Sequence, residues 1–181
     1  QRGELNVNLQ NKYNSTALMV ACWNGHTEIV RLLLQRGELN VNLQNEDNNT
    51  ALMVACRKEH TEIVQLLLQR GELNVNLQGK DNDTALMLAC WNGHTDIVRL
   101  LLQRGELNVN LRDEYTNTAL IMACEEGHTE IVQLLLQRGE LNVNLQDEYN
   151  NTALIGACAN GHTEIVRLLL QRGELNVNRS E

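Results

Sequence analysis

A repeat of 34 residues limits what this chain can fold into more than any other feature. The tripeptide Thr-Ala-Leu recurs every 34 residues, which defines five units and makes residues 1–10 the tail of a preceding unit. A period of this length is typical of stacked structural repeats. No linker or change in composition interrupts it, so we predict one array over residues 1–181, with units at 11–44, 45–78, 79–112, 113–146 and 147–180.

Composition excludes several classes of protein. The chain is 43% hydrophobic, which is too apolar for a disordered chain, yet it has no Phe and only two Trp and three Tyr. A single globular core of this size would use more large rings. The formal net charge of −8 argues against binding to nucleic acid or to a membrane surface. No apolar run approaches the roughly 20 residues needed to span a bilayer.

Each unit is predicted to contain two short helices and a loop. In the first unit, Thr16 caps a helix that runs to about Trp23, and Gly25 ends it in a left-handed conformation. Thr27 is predicted to cap the second helix, whose apolar residues follow at helical spacing up to Leu34. Residues 38–42 are predicted to be extended. Neither helix is long enough to be stable alone, so neighbouring units must bury the apolar faces.

These units resemble ankyrin repeats. The resemblance is carried in the first unit by Thr16-Ala17-Leu18-Met19, Ala21-Cys22, Gly25-His26, Glu28-Ile29-Val30-Arg31-Leu32-Leu33-Leu34 and Gly37-Glu38-Leu39-Asn40-Val41-Asn42. It implies an all-α solenoid of five helix-turn-helix units with short hairpin loops projecting sideways. It also implies a protein-binding surface on the concave side, formed by the hairpin tips and the first helices.

The units depart from the family pattern at three places. Ala17 and Met19 stand where Pro and His are usual, which removes a Thr–His hydrogen bond typical of the family. Leu39 and its equivalents lengthen the usual repeat by one residue. Glu59 replaces the Gly that ends the first helix in the other four units, so we expect strain at that turn.

The five units differ mainly at two places. Of 34 positions, 20 are identical in all five units, and these include polar positions expected to face solvent, such as Gln35, Arg36, Glu38, Asn40 and Asn42. Most of the variation lies at the hairpin tips and at the end of the first helix. All five aromatic residues lie there, and Tyr and Trp are enriched at binding hot spots. The predicted partner-binding residues are Lys12, Tyr13, Trp23, Asn24, Glu46, Asp47, Arg57, Lys58, Lys80, Asp81, Trp91, Asn92, Glu114, Tyr115, Glu125, Glu126, Glu148, Tyr149 and Asn160.

The charges at these positions have both signs, so they do not define one electrostatic partner. The fourth unit, with Glu114, Glu125 and Glu126, favours a basic patch on a partner. Two alternatives stay open: the charges form a solvated surface, and the rings stack along the array or cover a neighbouring loop.

No metal site, cofactor or catalytic centre is predicted. Each unit has one Cys and one His, at equivalent positions. Stacked helices lie too far apart for neighbouring Cys residues to form disulfides, so we interpret them as small packing residues in a reducing compartment. Each His is expected to bond to the backbone near its own turn. An active site is normally a unique constellation, whereas these groups repeat with the scaffold, at Cys22, Cys56, Cys90, Cys124, Cys158, His26, His60, His94, His128 and His162.

The sequence therefore predicts a non-enzymatic scaffold that binds a protein partner and is cytoplasmic, unless it is recombinant. The alternative is a designed or consensus array without a specific partner, because the first two units differ at only seven of 34 positions. A newly duplicated array would show the same uniformity. Terminal units without polar caps would favour end-to-end self-association.

Overall fold

The computed structural model describes residues 5–177, with side chains up to residue 172. Two compact units, Gln1–Ala85 and Leu86–Glu181, are considered separately. The described residues form helices and turns, with only isolated β-bridges between Gln10 and Thr16 and between Gln146 and Thr152. The helices are α1 Ala17–Trp23, α2 Thr27–Leu34, α3 Ala51–Arg57, α4 Thr61–Leu68, α5 Ala85–Trp91, α6 Thr95–Leu101, α7 Ala119–Glu125, α8 Thr129–Leu136, α9 Ala153–Ala159 and α10 Thr163–Val177.

Threonine is the N-cap of the first helix in the first, second, fourth and fifth repeats, as predicted. The hydroxyl of Thr16 accepts a hydrogen bond from the amide of Met19 at 3.2 Å. The Met19 sulfur in turn accepts one from the amide of Thr16 at 3.4 Å. Thr50 and Met53 repeat this arrangement in the second repeat. Methionine sulfur thus provides a weak acceptor where the family usually has a histidine.

The prediction for the start of the second helix was wrong by one residue. Thr27 is the first helical residue of α2, and His26 is the N-cap, without a side-chain capping bond. The cause is a tight turn: Gly25 has φ +70°, and its carbonyl accepts a hydrogen bond from the amide of Thr27 at 2.9 Å. The left-handed conformation predicted for Gly25 is confirmed. Glu59 is held in the same conformation, with φ +60°, which a side chain disfavours.

Three histidines, His60, His128 and His162, reach back to the preceding repeat rather than to their own turn. Nε2 of His60 lies 3.4 Å from the carbonyl oxygen of Trp23. In the second compact unit, Nε2 of His128 lies 3.0 Å from the carbonyl oxygen of Trp91. Bonds to the backbone are therefore confirmed for these three histidines, but they join the end of one first helix to the corner of the next repeat.

Repeats within each compact unit pack through buried aliphatic side chains. Helix α1 packs on α3 and α2 on α4 in the first, and α7 packs on α9 and α6 on α8 in the second. Leu39 and Val41 are also buried, so the residue that lengthens the repeat belongs to the core. Residues 38–42 are not extended as predicted, because turns at 37–38 and 41–42 direct both side chains inward.

Of the invariant polar residues expected to face solvent, Gln35, Arg36, Glu38 and Asn40 are exposed as predicted, whereas Asn42 connects neighbouring repeats. The Asn42 side-chain amide donates to the carbonyl of Glu72 at 2.8 Å, and its oxygen accepts from the amide of Asn74 at 2.8 Å. Asn8 and Asn110 make the same pair of bonds to the repeats that follow them. Their invariance follows from this role, because no apolar residue can satisfy these backbone groups.

Two further side chains add to these links, an arginine present in every repeat and a glutamine that is Arg112 in the third repeat. The Arg70 guanidinium donates to the carbonyl of Leu34 at 2.5 Å and forms an ion pair with Glu72 at 2.6 Å. The Gln44 side-chain amide donates to the carbonyl of Gln78 at 2.9 Å. Within each compact unit, neighbouring repeats are thus held together by side chain-to-backbone bonds in addition to the core.

Four of the five cysteines are packing residues of the core. All five are free, and Cys22, Cys56, Cys90 and Cys124 are buried, which confirms the interpretation as packing residues for these four. Burial raises the pKa of the Cys22 and Cys124 thiols to about 12, so neither forms a thiolate at neutral pH. Cys158, in the fifth repeat, is exposed, and the interpretation is wrong there.

Candidate protein-interaction surface

The predicted partner-binding residues occupy three kinds of position. Trp23, Arg57, Trp91 and Glu125 end the first helices. Asn24, Lys58, Asn92, Glu126 and Asn160 directly follow the first helices. Hairpin turns between repeats hold the others, which are Lys12, Tyr13, Glu46, Asp47, Lys80, Asp81, Glu114, Tyr115, Glu148 and Tyr149.

An Asn or Asp side chain supports the hairpin turn in the first, second, fourth and fifth repeats. In the first turn, Oδ1 of Asn11 accepts hydrogen bonds from the amides of Tyr13 at 2.9 Å and Ser15 at 3.0 Å. Asn14 completes the turn with φ +54°, a conformation that Asn tolerates. Asp147 has the role of Asn11 in the fifth repeat. The turn therefore keeps its shape whatever side chains occupy its two exposed positions.

Neighbouring turns are also bonded to one another within each compact unit. The amide of Glu46 donates to the carbonyl of Tyr13 at 3.1 Å, and that of Lys80 to the carbonyl of Asp47 at 2.8 Å. In the second compact unit, the amide of Glu148 donates to the carbonyl of Tyr115 at 3.0 Å. The turns thus form a fixed row rather than separate loops.

All five aromatic side chains are exposed. The exposed fractions are 48% for Tyr13, 51% for Trp23, 57% for Trp91, 52% for Tyr115 and 76% for Tyr149. Exposing large apolar side chains to water is unfavourable, and here these side chains are attached to an ordered backbone. None of the five rings belongs to the buried core.

Basic side chains cover part of the aromatic surface in the first compact unit. Nζ of Lys58 lies 3.8 Å from the centre of the Trp23 ring, and Nζ of Lys12 lies 4.6 Å from that of Tyr13. Arg57 forms an ion pair with Asp83 at 3.3 Å. Trp23 also borders a hollow of about 150 Å³, lined by Ser15, Met19, Val20, Asn24, Asn45 and Val54.

The second compact unit has an acidic hollow at the corresponding place. Its volume is about 250 Å³, and it lies between the turns of the fourth and fifth repeats. Tyr115, Glu125, Glu148 and Tyr149 were predicted from sequence. The contributions of Asn117, Asp147 and Asn151 were not predicted from the sequence. The lining residues are Tyr115, Asn117, Glu125, Asp147, Glu148, Tyr149 and Asn151.

Gly156 makes room for the Glu125 side chain that lines this hollow. Repeats one to four have Val20, Val54, Leu88 and Met122 at the equivalent position. A Cβ atom on Gly156 would lie 2.8 Å from Cγ of Glu125, too close without movement of that side chain. The sequence shows Gly156 as the one Gly at a position that is otherwise apolar. Its role is visible only in the structure, where the Glu125 side chain packs over it.

The electrostatics of the acidic hollow are unfavourable in the free protein. Burial raises the pKa of Glu125, and the charges of Asp147, Glu126 and Asp113 raise it further. A hydrogen bond with Glu148 raises the pKa of the Tyr149 hydroxyl. Burial opposes the shift at Asp147, yet hydrogen bonds from Asn151 and Tyr149 hold the pKa of that carboxyl below its usual value.

Replacing Glu125 by glutamine is expected to stabilise the protein at pH 7. A raised pKa in the fold means that folding disfavours the charged carboxylate, so the penalty is present above the raised pKa. It disappears as the pH falls below the unfolded value of about 4.5. Thermal unfolding followed by circular dichroism should therefore show a higher midpoint for Glu125→Gln at pH 7 and no gain at about pH 4. An equal gain at both values would contradict this origin.

Three predicted residues also have a local structural role. The side-chain amides of Asn24, Asn92 and Asn160 each donate to the carbonyl four residues earlier, at 2.8, 2.7 and 3.1 Å. They close the exposed end of the first helix, whose last carbonyls lack partners within the helix. Glu114 and Glu126 lie exposed outside the lining of the acidic hollow.

Comparison with protein families decides the classification. Residues 37–113 and 107–180 match the model described as ankyrin repeats (3 copies), and residues 1–40 match the model described as ankyrin repeats (many copies). The chain belongs to the ankyrin repeat family. Its fold is therefore an all-α ankyrin-repeat solenoid, and the fold class predicted from the sequence is confirmed. A search of curated proteins found no match.

Members of the ankyrin repeat family generally bind other proteins and generally are not enzymes. In the part of this ankyrin chain that the structure describes, no helix is long and apolar enough to cross a membrane. No three His, Cys, Asp or Glu side chains among residues 5–177 come together in a way that could hold a metal ion.

Proposed function

We propose that this ankyrin chain is a non-enzymatic scaffold that binds a protein partner through its hairpin turns and the ends of its first helices. One observation carries the proposal: every aromatic side chain is exposed at a position that varies between otherwise near-identical repeats. The backbone beneath them is already ordered by hydrogen bonds. Binding to such a surface loses little conformational entropy.

Trp23 is the most informative residue with which to test this function. It borders the hollow beside α1, and its ring is half exposed beneath Lys58. A partner would be isolated with the intact chain and compared with a variant in which all five aromatic residues are alanine. With that purified partner, Trp23→Ala should weaken binding by about tenfold while leaving the unfolding midpoint unchanged.

The matched control is Gln65→Ala, which alters an exposed side chain on α4, the second helix of its repeat. Affinity should be unchanged. Equal effects of Trp23→Ala and Gln65→Ala would reject the proposed surface. A lower unfolding midpoint with unchanged affinity would show that Trp23 stabilises the fold instead.

A designed or consensus array without a specific partner is the second candidate function. Near-identity of the repeats favours it, since the first two differ at seven of 34 positions. The bonds between repeats, however, account for much of the invariance without any design history. If the intact chain and the five-alanine variant retained the same proteins, this candidate would be preferred.

The cysteines support a reducing, cytoplasmic location as part of the proposal. All five thiols are free, and four are enclosed in the core. Free thiols are more usual in compartments that keep cysteine reduced.

A further inference from the structure

Glu125 differs from most glutamates of the repeat scaffold because it has no cationic partner. Glu38, Glu72 and Glu140 each form an ion pair with an Arg two residues earlier, at 2.6 Å. Among the described residues, Glu125 forms no ion pair, and the charges that act on it belong to carboxylates. It is half-buried in the acidic hollow, where an unpaired charge is less well screened than at the surface.

The first compact unit shows which group completes a site of this kind. Arg57 occupies the position equivalent to Glu125, and Asp83 the position equivalent to Asn151. There the guanidinium of Arg57 pairs with the carboxylate of Asp83. In the acidic hollow the polarity is reversed, because the chain supplies the carboxylate and no described residue supplies the cation.

The hollow also offers surfaces that suit a planar cation. It measures about 250 Å³, and the Glu125 side chain that lines it packs over Gly156, where a Cβ atom would displace it. The rings of Tyr115 and Tyr149 flank it, and both are more than half exposed. A guanidinium group can stack on an aromatic ring while donating two parallel hydrogen bonds to a carboxylate.

We propose that this hollow receives an arginine side chain of the partner protein, with its guanidinium on the Glu125 carboxylate and its plane against Tyr115 or Tyr149. The inference rests on the proposed protein-binding function and adds the chemistry of one contact. Lysine would fit the charge but not the paired hydrogen bonds. The partner surface that meets the fourth and fifth repeats is therefore basic.

The test uses the full chain labelled with ¹⁵N and the probe peptide acetyl-Gly-Arg-Gly-amide. Addition of the probe should shift the amide resonances of Tyr115, Glu125 and Asn151 more than those of Tyr13, Arg57 and Asn49 at equivalent positions. The same peptide with citrulline, which has the shape of arginine without its charge, should leave them unmoved. A lysine peptide should bind more weakly than the arginine peptide.

Two variants locate the contact. Glu125→Gln should weaken binding of the arginine peptide by about tenfold, because a charge-assisted hydrogen bond is lost. Gly156→Val, which introduces the residue of the first two repeats, should also weaken it by displacing the Glu125 side chain. Glu164→Gln is the control, since it removes the same charge from an exposed residue of α10 outside the hollow. It should bind as the unaltered chain does.

Equal shifts with the citrulline peptide, or equal affinity of Glu125→Gln and the unaltered chain, would overturn the inference. These outcomes are separate from those for the proposed function. If a partner bound the Glu125→Gln variant normally but did not bind the five-alanine variant, the scaffold function would stand and the arginine contact would be rejected. If the hollow bound the arginine peptide but the aromatic residues had no effect on a partner, the arginine site would stand and the proposed scaffold surface would be rejected.

Discussion

Replacing Gly25 by alanine is expected to lower the free energy of unfolding by about 3 kcal/mol. Gly25 has φ +70°, which disfavours any residue with a Cβ atom. A Cβ there would also lie 2.8 Å from Cε1 of His60, whose ring bonds to the carbonyl of Trp23. The substitution therefore strains one corner and disturbs a bond to the next repeat. Denaturant unfolding followed by circular dichroism measures the loss.

The opposite substitution, Glu59→Gly, tests the same corner in the second repeat. Glu59 has φ +60° at the same corner of the second repeat, so glycine should raise the free energy of unfolding by about 1 kcal/mol. Gly37→Ala is a suitable control, because nothing lies within 4 Å of a Cβ at that position. If Gly25→Ala lowered the free energy of unfolding no more than Gly37→Ala, the positive φ and the close contact at Gly25 would not restrict the residue there.

Replacing Asn42 by alanine is expected to cost about 2 kcal/mol of unfolding free energy. The change removes both bonds that the Asn42 side chain makes to the next repeat, at 2.8 Å to the carbonyl of Glu72 and from the amide of Asn74. Both backbone groups then lose their protein partner. Denaturant unfolding again provides the measurement.

Asn40→Ala separates this effect from the general loss of an asparagine. The Asn40 side chain accepts one bond, from the amide of Asn42 at 3.0 Å, and that bond lies within its own loop. We expect a cost below half that of Asn42→Ala. Equal costs would mean that the loop conformation, rather than the connection between repeats, is what asparagine stabilises.

The sequence predicted the helices well because their signals are local. Thr16 begins α1 and Gly25 follows its end, and both effects depend on a few neighbouring backbone groups. The start of α2 was misplaced by one residue for the same reason. Thr27 resembles a cap in the sequence, but the turn at Gly25 already makes it helical.

The bonds between repeats could not be predicted from local pattern. Asn42 and Glu72 are 30 residues apart, and Arg70 and Leu34 are 36 apart. Their contact depends on how one repeat stacks on another. Invariance of these polar positions was visible in the sequence, but it does not say which groups they bond to.

The candidate surface was predicted in outline and missed in detail. Variation between repeats located the exposed rings of Tyr115 and Tyr149. It did not reveal the acidic hollow, which is lined by Glu125 of one repeat and by Asp147 of the next. A concavity of this kind is a property of two repeats together, so no single repeat encodes it.

The bonding of the hairpin turns has an evolutionary consequence. The side chain of Asn11, or of Asp147 in the fifth repeat, fixes the turn through backbone amides alone. The two residues at the apex can therefore be exchanged with little effect on folding. Duplication of a repeat followed by substitutions at its apex would give such a lineage new specificities quickly, while the inherited framework tolerates almost no drift.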